Sequence, residues 1–363
     1  MKLAIDCRMC GKSGIGAFID GILPHFVASG HDLLLLGLDS THKIVSLPHE
    51  IYAAPNVTLL PCAIAPFSLT ETVFFPRALA KKINACDAFV SPYCNIPSGI
   101  HIPLYTTIHD IVFLDMPDLA GKFGTFVRKR FYLRAVKKSC ALFTVSDFSR
   151  ARIIQKLRCK KPVHVVHSSV PGYLQEPLSP LPAKTDTLIF IGNIKRHKGL
   201  HTLIPAFSAL RAYCVQNALP APSLVIVGTK EHFRTQDSSL QDLTQTDGII
   251  FTGFISNEKL KHVLSEAKLL VQPSLYEGFG LPPMEALCCG TRALVSDIPV
   301  FKEVYEGLPV SYFATEDSDD LARKLIALWQ ESPLITPQKN RYSFKKTAAA
   351  MQTIIVDNSL KVL

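Results

Sequence analysis

The chain has 363 residues, of which 48% are hydrophobic and 19% are charged. This length predicts two domains, because a single hydrophobic core rarely grows beyond about 250 residues. No run reaches the roughly 20 apolar residues of a transmembrane helix, so the composition argues against a protein built from membrane spans. The formal net charge of +9 arises in the first part of the chain, where residues 1–172 contain 20 Lys and Arg against 11 Asp and Glu.

The amino-terminal sequence, MKLAIDCRMCGKSG, reaches a charge at Asp6 before an apolar stretch of signal-peptide length develops. We therefore predict a cytoplasmic protein without a secretory signal, whose ten cysteines are reduced thiols. Cys7 and Cys10 form one Cys-x-x-Cys pair with no second pair at zinc-finger spacing, and Cys288 and Cys289 are adjacent. Both pairs are expected to be structural and not metal-binding.

Short apolar runs alternate with longer helical patterns along the chain, which is typical of parallel α/β sheets. The predicted strands of the first half are KLAID, DLLLLGL, VTLLPC, AFVSP, LYTTIHD, ALFTVSD and VHVVHSS. Those of the second half are TLIFIGN, SLVIVGT, GIIFTGF, LLVQPS and RALVSD. Because doubly wound sheets bind ligands at the carboxyl ends of their strands, the pattern predicts two such units facing across a cleft lined by strand-end loops.

The basic segment 121–140, GKFGTFVRKRFYLRAVKKSC, allows two interpretations. Its apolar residues are expected to share one side of a helix: Phe123, Phe126, Val127, Phe131, Leu133 and Val136. That side is either an ordinary core face of a solvated helix, or part of a patch for anionic lipid headgroups or a phosphate-bearing acceptor. The second interpretation predicts peripheral contact with the inner face of a membrane. Nucleic acid is not an expected partner, because no nucleic-acid motif accompanies the charge.

The stretch LYEGFGLPPMEALCCG follows a predicted strand and places Glu277 and Glu285 on either side of a glycine- and proline-rich turn. Gly278 and Gly280 allow a ligand to approach bare backbone, and the two prolines suit the first turn of a helix. A helix start favours phosphate, whereas carboxylates suit the hydroxyl groups of sugars. The pattern predicts a nucleotide-sugar site, with two solvent-facing acids beside an ordinary turn as the simpler alternative.

These motifs resemble family 4 of the retaining glycosyltransferases, and the resemblance covers most of the chain. Its central signature is Glu-x7-Glu, seen here as EGFGLPPME between PSLY and ALCCGTRALVSDIPVFKEV. Further matches, in the family's order, are IDCRMCGKSGIGAFI, SPYCNIP, TTIHDIVFLDMPD, TVSDFSR, LIFIGNIKRHKGLHTLIPAF, LVIVG, IIFTGFISNEKL and EAKLLVQPS. The family implies a GT-B fold, which is two Rossmann-like doubly wound parallel-sheet domains facing across a cleft, with a final helix that returns to the first domain.

The resemblance and a proline-rich stretch after residue 170 together predict four segments. Residues 1–172 are expected to form a Rossmann-like acceptor domain, and residues 173–185 an interdomain linker. Residues 186–338 are expected to form the Rossmann-like donor domain. The segment 339–363 is expected to contain the helix that returns to the first domain.

The family resemblance also implies roles for residues of the second half. Glu285 binds the ribose hydroxyls and Glu277 a hydroxyl of the donor sugar, while the backbone of Gly278, Phe279, Gly280 and Leu281 meets the sugar and diphosphate. Lys198 neutralises the diphosphate as it leaves. Asn193 stands where many members have Arg, so that Lys195 or Arg196 is the candidate for the second phosphate cation. Phe254 contacts the base through its backbone.

In the first half, the resemblance assigns the loop with Gly14 and Gly16 to closure over the donor phosphates, and His109 to the donor sugar. A dinucleotide fingerprint fails here, since it requires glycine at Ile19. Asp317 and Asp319 imitate an Asp-x-Asp metal motif, but they precede a helical pattern and are expected at a helix start. We predict no catalytic metal and no cofactor besides the donor substrate.

The function implied is a metal-independent retaining glycosyltransferase that moves a hexose from a nucleotide-diphosphate sugar to a hydroxyl of a glycan or lipid-linked acceptor. GDP-mannose is the favoured donor, with a UDP-sugar as the other option, and surface polysaccharide synthesis is the expected setting. The alternatives are a nucleotide-sugar epimerase or hydrolase on the same scaffold, and a non-catalytic nucleotide-sugar-binding protein.

Overall fold

The computed structural model describes residues 1–11, 13–37, 48–228, 246–331 and 335–360. The chain divides into two compact units. The first contains Met1–Ser169 and the C-terminal segment from Tyr342, and the second contains Val170–Arg341. Within the described ranges, no helix is both long enough and apolar enough to cross a membrane.

The first unit is built on a seven-stranded parallel sheet with the order β3-β2-β1-β4-β5-β6-β7. Its strands are β1 Lys2–Asp6, β2 Asp32–Leu36, β3 Val57–Leu60, β4 Ala88–Ser91, β5 Leu104–Thr107, β6 Ala141–Thr144 and β7 Val163–Val165. The last residue of the predicted strand DLLLLGL, residue 38, lies outside the described ranges. β4, β5 and β6 are buried along their whole length, because parallel sheets are covered on both faces.

Helices connect these strands and are joined by the helix near the carboxyl end of the chain. They are α1 Ser13–Val27, α2 His49–Tyr52, α3 Leu69–Val73, α4 Arg77–Ile83, α5 Val112–Asp115, α6 Gly121–Lys138, α7 Asp147–Leu157 and the carboxyl-terminal α14 Phe344–Leu360. α14 packs against α1, where a Cβ on Gly21 would lie 2.3 Å from the Phe344 ring. The Tyr105 hydroxyl also donates to the Ile355 carbonyl at 3.2 Å, so α14 belongs to the first unit.

The second unit is a six-stranded parallel sheet with the order β10-β9-β8-β11-β12-β13. Its strands are β8 Thr185–Ile191, β9 Ser223–Val227, β10 Ile249–Gly253, β11 Ala267–Gln272, β12 Arg292–Ser296 and β13 Val310–Phe313. Its helices are α8 Gly172–Gln175, α9 Leu200–Gln216, α10 Asn257–Glu266, α11 Pro282–Cys288, α12 Pro299–Val304 and α13 Ser318–Gln330. A core of aliphatic and aromatic side chains joins α9 and α13 to the sheet.

Two local features differ from the sequence predictions. The predicted linker 173–185 is grouped with the second unit, because α8 packs against α10 and α11 and fully buries Leu174. In α6 the buried residues are Tyr132 and Ala135, so the predicted shared apolar side is wrong. Successive residues of a helix turn by about 100°, and the six apolar residues of that prediction spread around most of the helix.

Candidate functional site

The candidate site lies at the carboxyl ends of two neighbouring strands of the second unit. β8 and β11 pair in parallel, and the strand order reverses direction between them. β8 leads into the turn around Lys198, and β11 leads into the loop around Glu277. This is the position at which open α/β sheets bind their ligands.

Lys198 and Glu277 form an ion pair that joins the two loops. The Lys198 Nζ lies 2.7 Å from Oε1 and 2.8 Å from Oε2 of Glu277. The two side chains are 20% and 11% exposed, so the pair is shielded from bulk water yet reachable by a ligand. An ammonium group has three donors, and two of them are directed at the carboxylate.

A buried hydrogen-bond chain orients the carboxylate of Glu277. The Gln272 Nε2 donates to the Ser274 hydroxyl at 3.0 Å, and that hydroxyl donates to the Glu277 Oε1 at 2.7 Å. Since Gln272 occupies the acceptor side of the hydroxyl, the Ser274 proton is directed at Glu277. Gln272 and Ser274 are fully buried, so this chain of hydrogen bonds reaches the carboxylate from the interior of the second unit.

The charge of Glu277 follows from these neighbours. Burial raises the pKa of the Glu277 carboxyl, but the charge and hydrogen bonds of Lys198 and the hydrogen bond from Ser274 outweigh burial. The net pKa therefore lies below its ordinary value. Glu277 is an ionised hydrogen-bond acceptor at neutral pH, which suits a sugar hydroxyl and does not suit a general acid.

His197 is a site residue that sequence reasoning missed. Its carbonyl accepts a hydrogen bond from the Leu275 N–H at 2.8 Å, which ties the two loops together. Burial, with smaller effects of nearby charges, lowers the pKa of His197 to about 4, so the ring is neutral. Its Nδ1 is buried and has no partner within the described residues. The one sequence signal for it is its place immediately before Lys198 in GNIKRHKG, and the sequence analysis did not use that signal.

The close contact of the loops depends on Gly199, which has a φ of +75°. A Cβ at this position would lie 1.8 Å from the Pro273 carbonyl oxygen, a distance no side chain tolerates. Asn193, Lys195 and Arg196 occupy the exposed side of the same turn. The structure thus brings all three beside Lys198.

The turn before α11 is shaped by Gly280 and clamped by Tyr305. Gly280 has a φ of +79°, and a Cβ there would lie 2.4 Å from Cε1 of Phe301. The Tyr305 hydroxyl donates to the Gly280 carbonyl and accepts from the Met284 N–H at 3.3 Å. The backbone of this turn is therefore fixed by the side chains of α12 and of the residue that follows it.

The helix start offers fewer N–H donors than the sequence suggested. Two prolines occupy its first positions and carry no N–H, and the Met284 N–H is taken by Tyr305. Within the described parts of the chain, the N–H groups of Gly280 and Leu281 donate to no acceptor. An anion at this end of α11 would meet these two groups.

Glu285 lies on α11 and is 9% exposed. Burial raises the pKa of its carboxyl to about 7. The Glu285 carboxylate makes no hydrogen bond or ion pair with the described residues. A buried carboxylate without a partner is suited to a ligand that brings its own hydroxyl donors.

Phe254 lies apart from this cluster within the second unit, and His109 belongs to the first unit. Phe254 follows β10, which is separated from β8 by β9, and its side chain is 85% exposed. His109 follows β5, and its Nε2 donates to the Pro92 carbonyl at 2.9 Å. Burial lowers the pKa of His109 to about 4, so the ring is neutral and its Nδ1 is the acceptor.

Gly14 and Gly16 differ in what they do locally. A Cβ on Gly16 would lie 2.4 Å from the Met9 carbonyl oxygen, so this glycine lets α1 pack on the loop after β1. A Cβ on Gly14 would meet nothing within 4 Å. Gly14 therefore leaves open space at the start of α1.

Metal ligands are not clustered in the described ranges, where no group of three or more His, Cys, Asp and Glu could hold an ion. Asp317 caps α13 by accepting the Asp320 N–H at 2.8 Å, which confirms the predicted helix start. All ten cysteines are free thiols.

The second half of the chain is similar to a family of known proteins. Residues 176–350 match the family described as glycosyl transferases group 1.

Curated proteins similar to this chain include bacterial mannosyltransferases. The O-antigen chain mannosyltransferase RfbU of Salmonella typhimurium is 29% identical over 205 residues, covering 54% of this chain and 53% of the relative. The O-antigen chain mannosyltransferase B of Escherichia coli is 27% identical over 213 residues, covering 55% and 54%. The chain thus spans about half the length of these relatives.

Solved structures share the fold over nearly the whole chain. Sucrose-phosphate synthase from Thermosynechococcus elongatus superposes with a TM-score of 0.70 at 16% identity, covering 98% of this chain and 97% of that one. HepE from Anabaena, solved with UDP and glucose, gives a TM-score of 0.64 at 14% identity, covering 100% and 98%. The prediction of two Rossmann-like parallel-sheet units of the GT-B type is confirmed.

Proposed function

We propose that this protein is a retaining glycosyltransferase that moves a hexose from a nucleotide-diphosphate sugar to a hydroxyl of a glycan or lipid-linked acceptor. The observation that carries the proposal is the Lys198–Glu277 pair facing the Gly280 turn, within the region that matches the glycosyl transferases group 1 family. The similarity to two O-antigen chain mannosyltransferases supports GDP-mannose as donor, with a UDP-sugar as the other option, and surface polysaccharide synthesis as the setting.

Each part of the donor has a chemically matched group in the second unit. Glu285, an acceptor with no partner among the described residues, takes the ribose hydroxyls. Glu277 takes a hydroxyl of the sugar on the lone pairs that Lys198 and Ser274 leave open. The diphosphate meets the third donor of Lys198 and the N–H groups of Gly280 and Leu281.

The transfer requires charge stabilisation more than acid–base chemistry. The bond from the anomeric carbon to the diphosphate oxygen breaks, the acceptor hydroxyl attacks from the same face, and the diphosphate oxygen takes the hydroxyl proton. Negative charge develops on the diphosphate, where the Lys198 ammonium is already held in place by Glu277. His197 is neutral and does not compete with Lys198 for the anion.

The other predicted residues keep the roles that the family resemblance implies, as parts of the same proposal. Gly278 and Phe279 add backbone contacts to the donor, Phe254 contacts the base, and Lys195 or Arg196 supplies a second phosphate cation beside Asn193. In the first unit, His109 and the loop with Gly14 and Gly16 serve the sugar and the acceptor. No metal ion and no further cofactor enter this mechanism.

A donor panel tests the proposal. The protein is incubated with GDP-mannose, UDP-glucose or UDP-galactose, with and without acceptor glycans, and nucleotide release and product anomer are followed. A transferase releases nucleotide at least tenfold faster with one acceptor and forms a product with the donor's anomeric configuration. Equal release without acceptor supports a hydrolase, conversion of the sugar supports an epimerase, and binding without turnover supports a nucleotide-sugar binder; each of these overturns the proposal.

The matched variant for this assay is Lys198→Met, which keeps most of the length of the side chain and removes its charge. Its control is Lys259→Met, which removes an exposed charge from α10 of the same unit. A transferase loses turnover in the first variant far more than in the second. Equal losses would show that the general positive charge of the unit matters and that the pair with Glu277 does not.

A further inference from the structure

α6 presents one continuous face of mixed apolar and basic side chains. The helix contains seven Lys and Arg and no Asp or Glu. Because successive residues turn by about 100°, seven of its nine exposed residues share an arc of about 120°, and only Gly121 and Lys138 lie outside it. This α6 face consists of Lys122, Phe123, Phe126, Lys129, Arg130, Leu133 and Lys137. The buried Tyr132 and Ala135 lie on the other side of the helix.

The apolar side chains of the α6 face are exposed to solvent. Phe123 is 80% exposed, Phe126 is 59% exposed and Leu133 is 36% exposed. Single exposed apolar residues are ordinary on a protein surface, but three aligned on one helix mark a surface that meets another phase or molecule.

Six of the seven basic side chains of α6, all except Lys138, fall into two groups. Arg128 lies over the Phe113 ring at 3.6 Å, and Arg134 donates to the Thr72 carbonyl at 2.9 Å. These two guanidinium groups are used for packing within the first unit. The four basic residues of the α6 face lie in its exposed arc, between the apolar side chains.

Further apolar side chains are exposed at α3, which the hydrogen bond from Arg134 to the Thr72 carbonyl joins to α6. Leu69 in α3 and Phe74, which follows it, are each 69% exposed, and Val73 is 53% exposed. α3 and the part of α6 around Arg134 are therefore neighbours within the first unit.

We propose that the α6 face, with the exposed end of α3, binds an anionic lipid surface. Apolar side chains that enter the headgroup region and basic side chains that meet phosphates are the two components of interfacial binding. A second copy of the chain is a poorer occupant, since two-fold pairing would bring four positive charges against four. The inference is independent of the proposed transfer reaction.

Vesicle co-sedimentation tests the proposal without any donor. The full chain is mixed with vesicles of phosphatidylcholine alone, or with about one-third phosphatidylglycerol. We expect binding only to the anionic vesicles and weaker binding at high salt. Phe123→Ser/Phe126→Ser and Lys129→Glu/Arg130→Glu should each lower the vesicle affinity by about tenfold or more, since a basic residue near such a surface contributes about fivefold.

The control is Val215→Ser/Lys259→Glu, which removes an exposed apolar residue and reverses an exposed charge in the second unit. It should bind anionic vesicles as well as the wild type, and circular dichroism should show all variants folded. The proposal is overturned if the wild type ignores anionic vesicles, if neutral vesicles bind equally well, or if the control loses as much affinity as the α6 variants. A dimer that Phe123→Ser/Phe126→Ser dissolves, with no vesicle binding, would assign the face to a second copy.

Discussion

The two units each carry a charged cluster after their first strand, and the clusters differ in what they leave unsatisfied. β1 and β8 occupy corresponding central positions in their sheets. After β1, Arg8 is paired with Asp6 and Glu71, and all three side chains are at most 3% exposed. After β8, Lys198 pairs with Glu277, and both remain partly open.

The cluster of Arg8, Asp6 and Glu71 in the first unit is structural, and we call it the sealed cluster because its side chains are buried. The Arg8 Nε donates to the Asp6 Oδ1 at 2.9 Å, and the Tyr93 hydroxyl donates to the Asp6 Oδ2 at 2.6 Å. Arg8 also donates to the Ile64 carbonyl at 3.0 Å, which anchors the loop that precedes α3. The Lys198–Glu277 pair of the second unit is the open cluster. Near it, the Glu285 carboxylate and the His197 Nδ1 have no hydrogen-bond partner among the described residues. Both clusters are charged, so charge alone does not mark a binding site. A binding site also needs polar groups that have no partner and that a ligand can reach.

The largest expected effect is on the sealed cluster. Arg8→Met leaves two buried carboxylates without their cation and should lower the free energy of unfolding by about 3–5 kcal/mol. Urea denaturation followed by circular dichroism measures this change. Lys198→Met, at the more exposed pair, should cost about 1 kcal/mol in the same assay. Equal losses for the two variants would contradict the contrast between a sealed and an open cluster.

The next effect is on turnover. Lys198→Met should lower kcat by about 10²–10³-fold, because it removes a cation from the charge that develops on the leaving diphosphate. Arg8→Met, assayed at a temperature where it is folded, should change kcat much less. Steady-state kinetics with the best donor and acceptor measures both. A kcat for Lys198→Met close to the wild type would remove Lys198 from the mechanism.

Glu285→Gln should separate stability from binding. The pKa of Glu285 is raised from its ordinary value of 4.5 to about 7, so the folded protein holds this proton more tightly than the unfolded chain does. Its contribution to stability is therefore lost as the pH rises from about 4.5 to 7. Gln does not ionise, so the variant should gain up to about 3 kcal/mol over the wild type at pH 8 and nothing near pH 4.

The same variant should bind the donor nucleotide about tenfold more weakly, because an amide is a poorer acceptor for ribose hydroxyls than a carboxylate. Isothermal titration with the nucleotide and urea denaturation across pH give the two readouts. Glu258→Gln on α10, an exposed acid, is the control for both. Unchanged nucleotide affinity would show that Glu285 is a buried acid without a ligand.

The smallest effect is expected at Ser274. Ser274→Ala removes one hydrogen bond from Glu277 and should lower kcat/KM by about fivefold, which corresponds to about 1 kcal/mol. The pKa of Glu277 should rise, so the acid limb of the pH profile should shift to higher pH. Ser208→Ala, which removes a hydrogen bond within α9, should change stability only. A pH profile that does not move in Ser274→Ala would show that Ser274 does not orient Glu277.

Sequence reasoning was accurate where local pattern decides structure. The alternation of apolar runs and helical patterns predicted two parallel α/β units, and the turns predicted after β8 and β11 follow those strands in the structure. The nucleotide-sugar site at these turns stays a prediction. It was less accurate for α6, because an apolar pattern does not reveal which side of a helix the neighbouring elements cover. His197 and the Arg8 cluster were missed for a related reason, since burial and pairing depend on segments distant in the chain.

The sequence by itself determined the type of fold and the concentration of positive charge in the first unit, and it predicted which residues contact a nucleotide sugar. Only the tertiary structure decided that Lys198 and Glu277, which lie 79 residues apart, are bonded to each other. It also decided that Glu285 is buried enough to raise its pKa, and that three apolar residues of α6 remain exposed. The physical reason is that the pairing of β8 with β11 sets the distance between these two side chains, and the packing around each helix sets the burial of its residues. Neither the distance nor the burial follows from the spacing of residues along the chain.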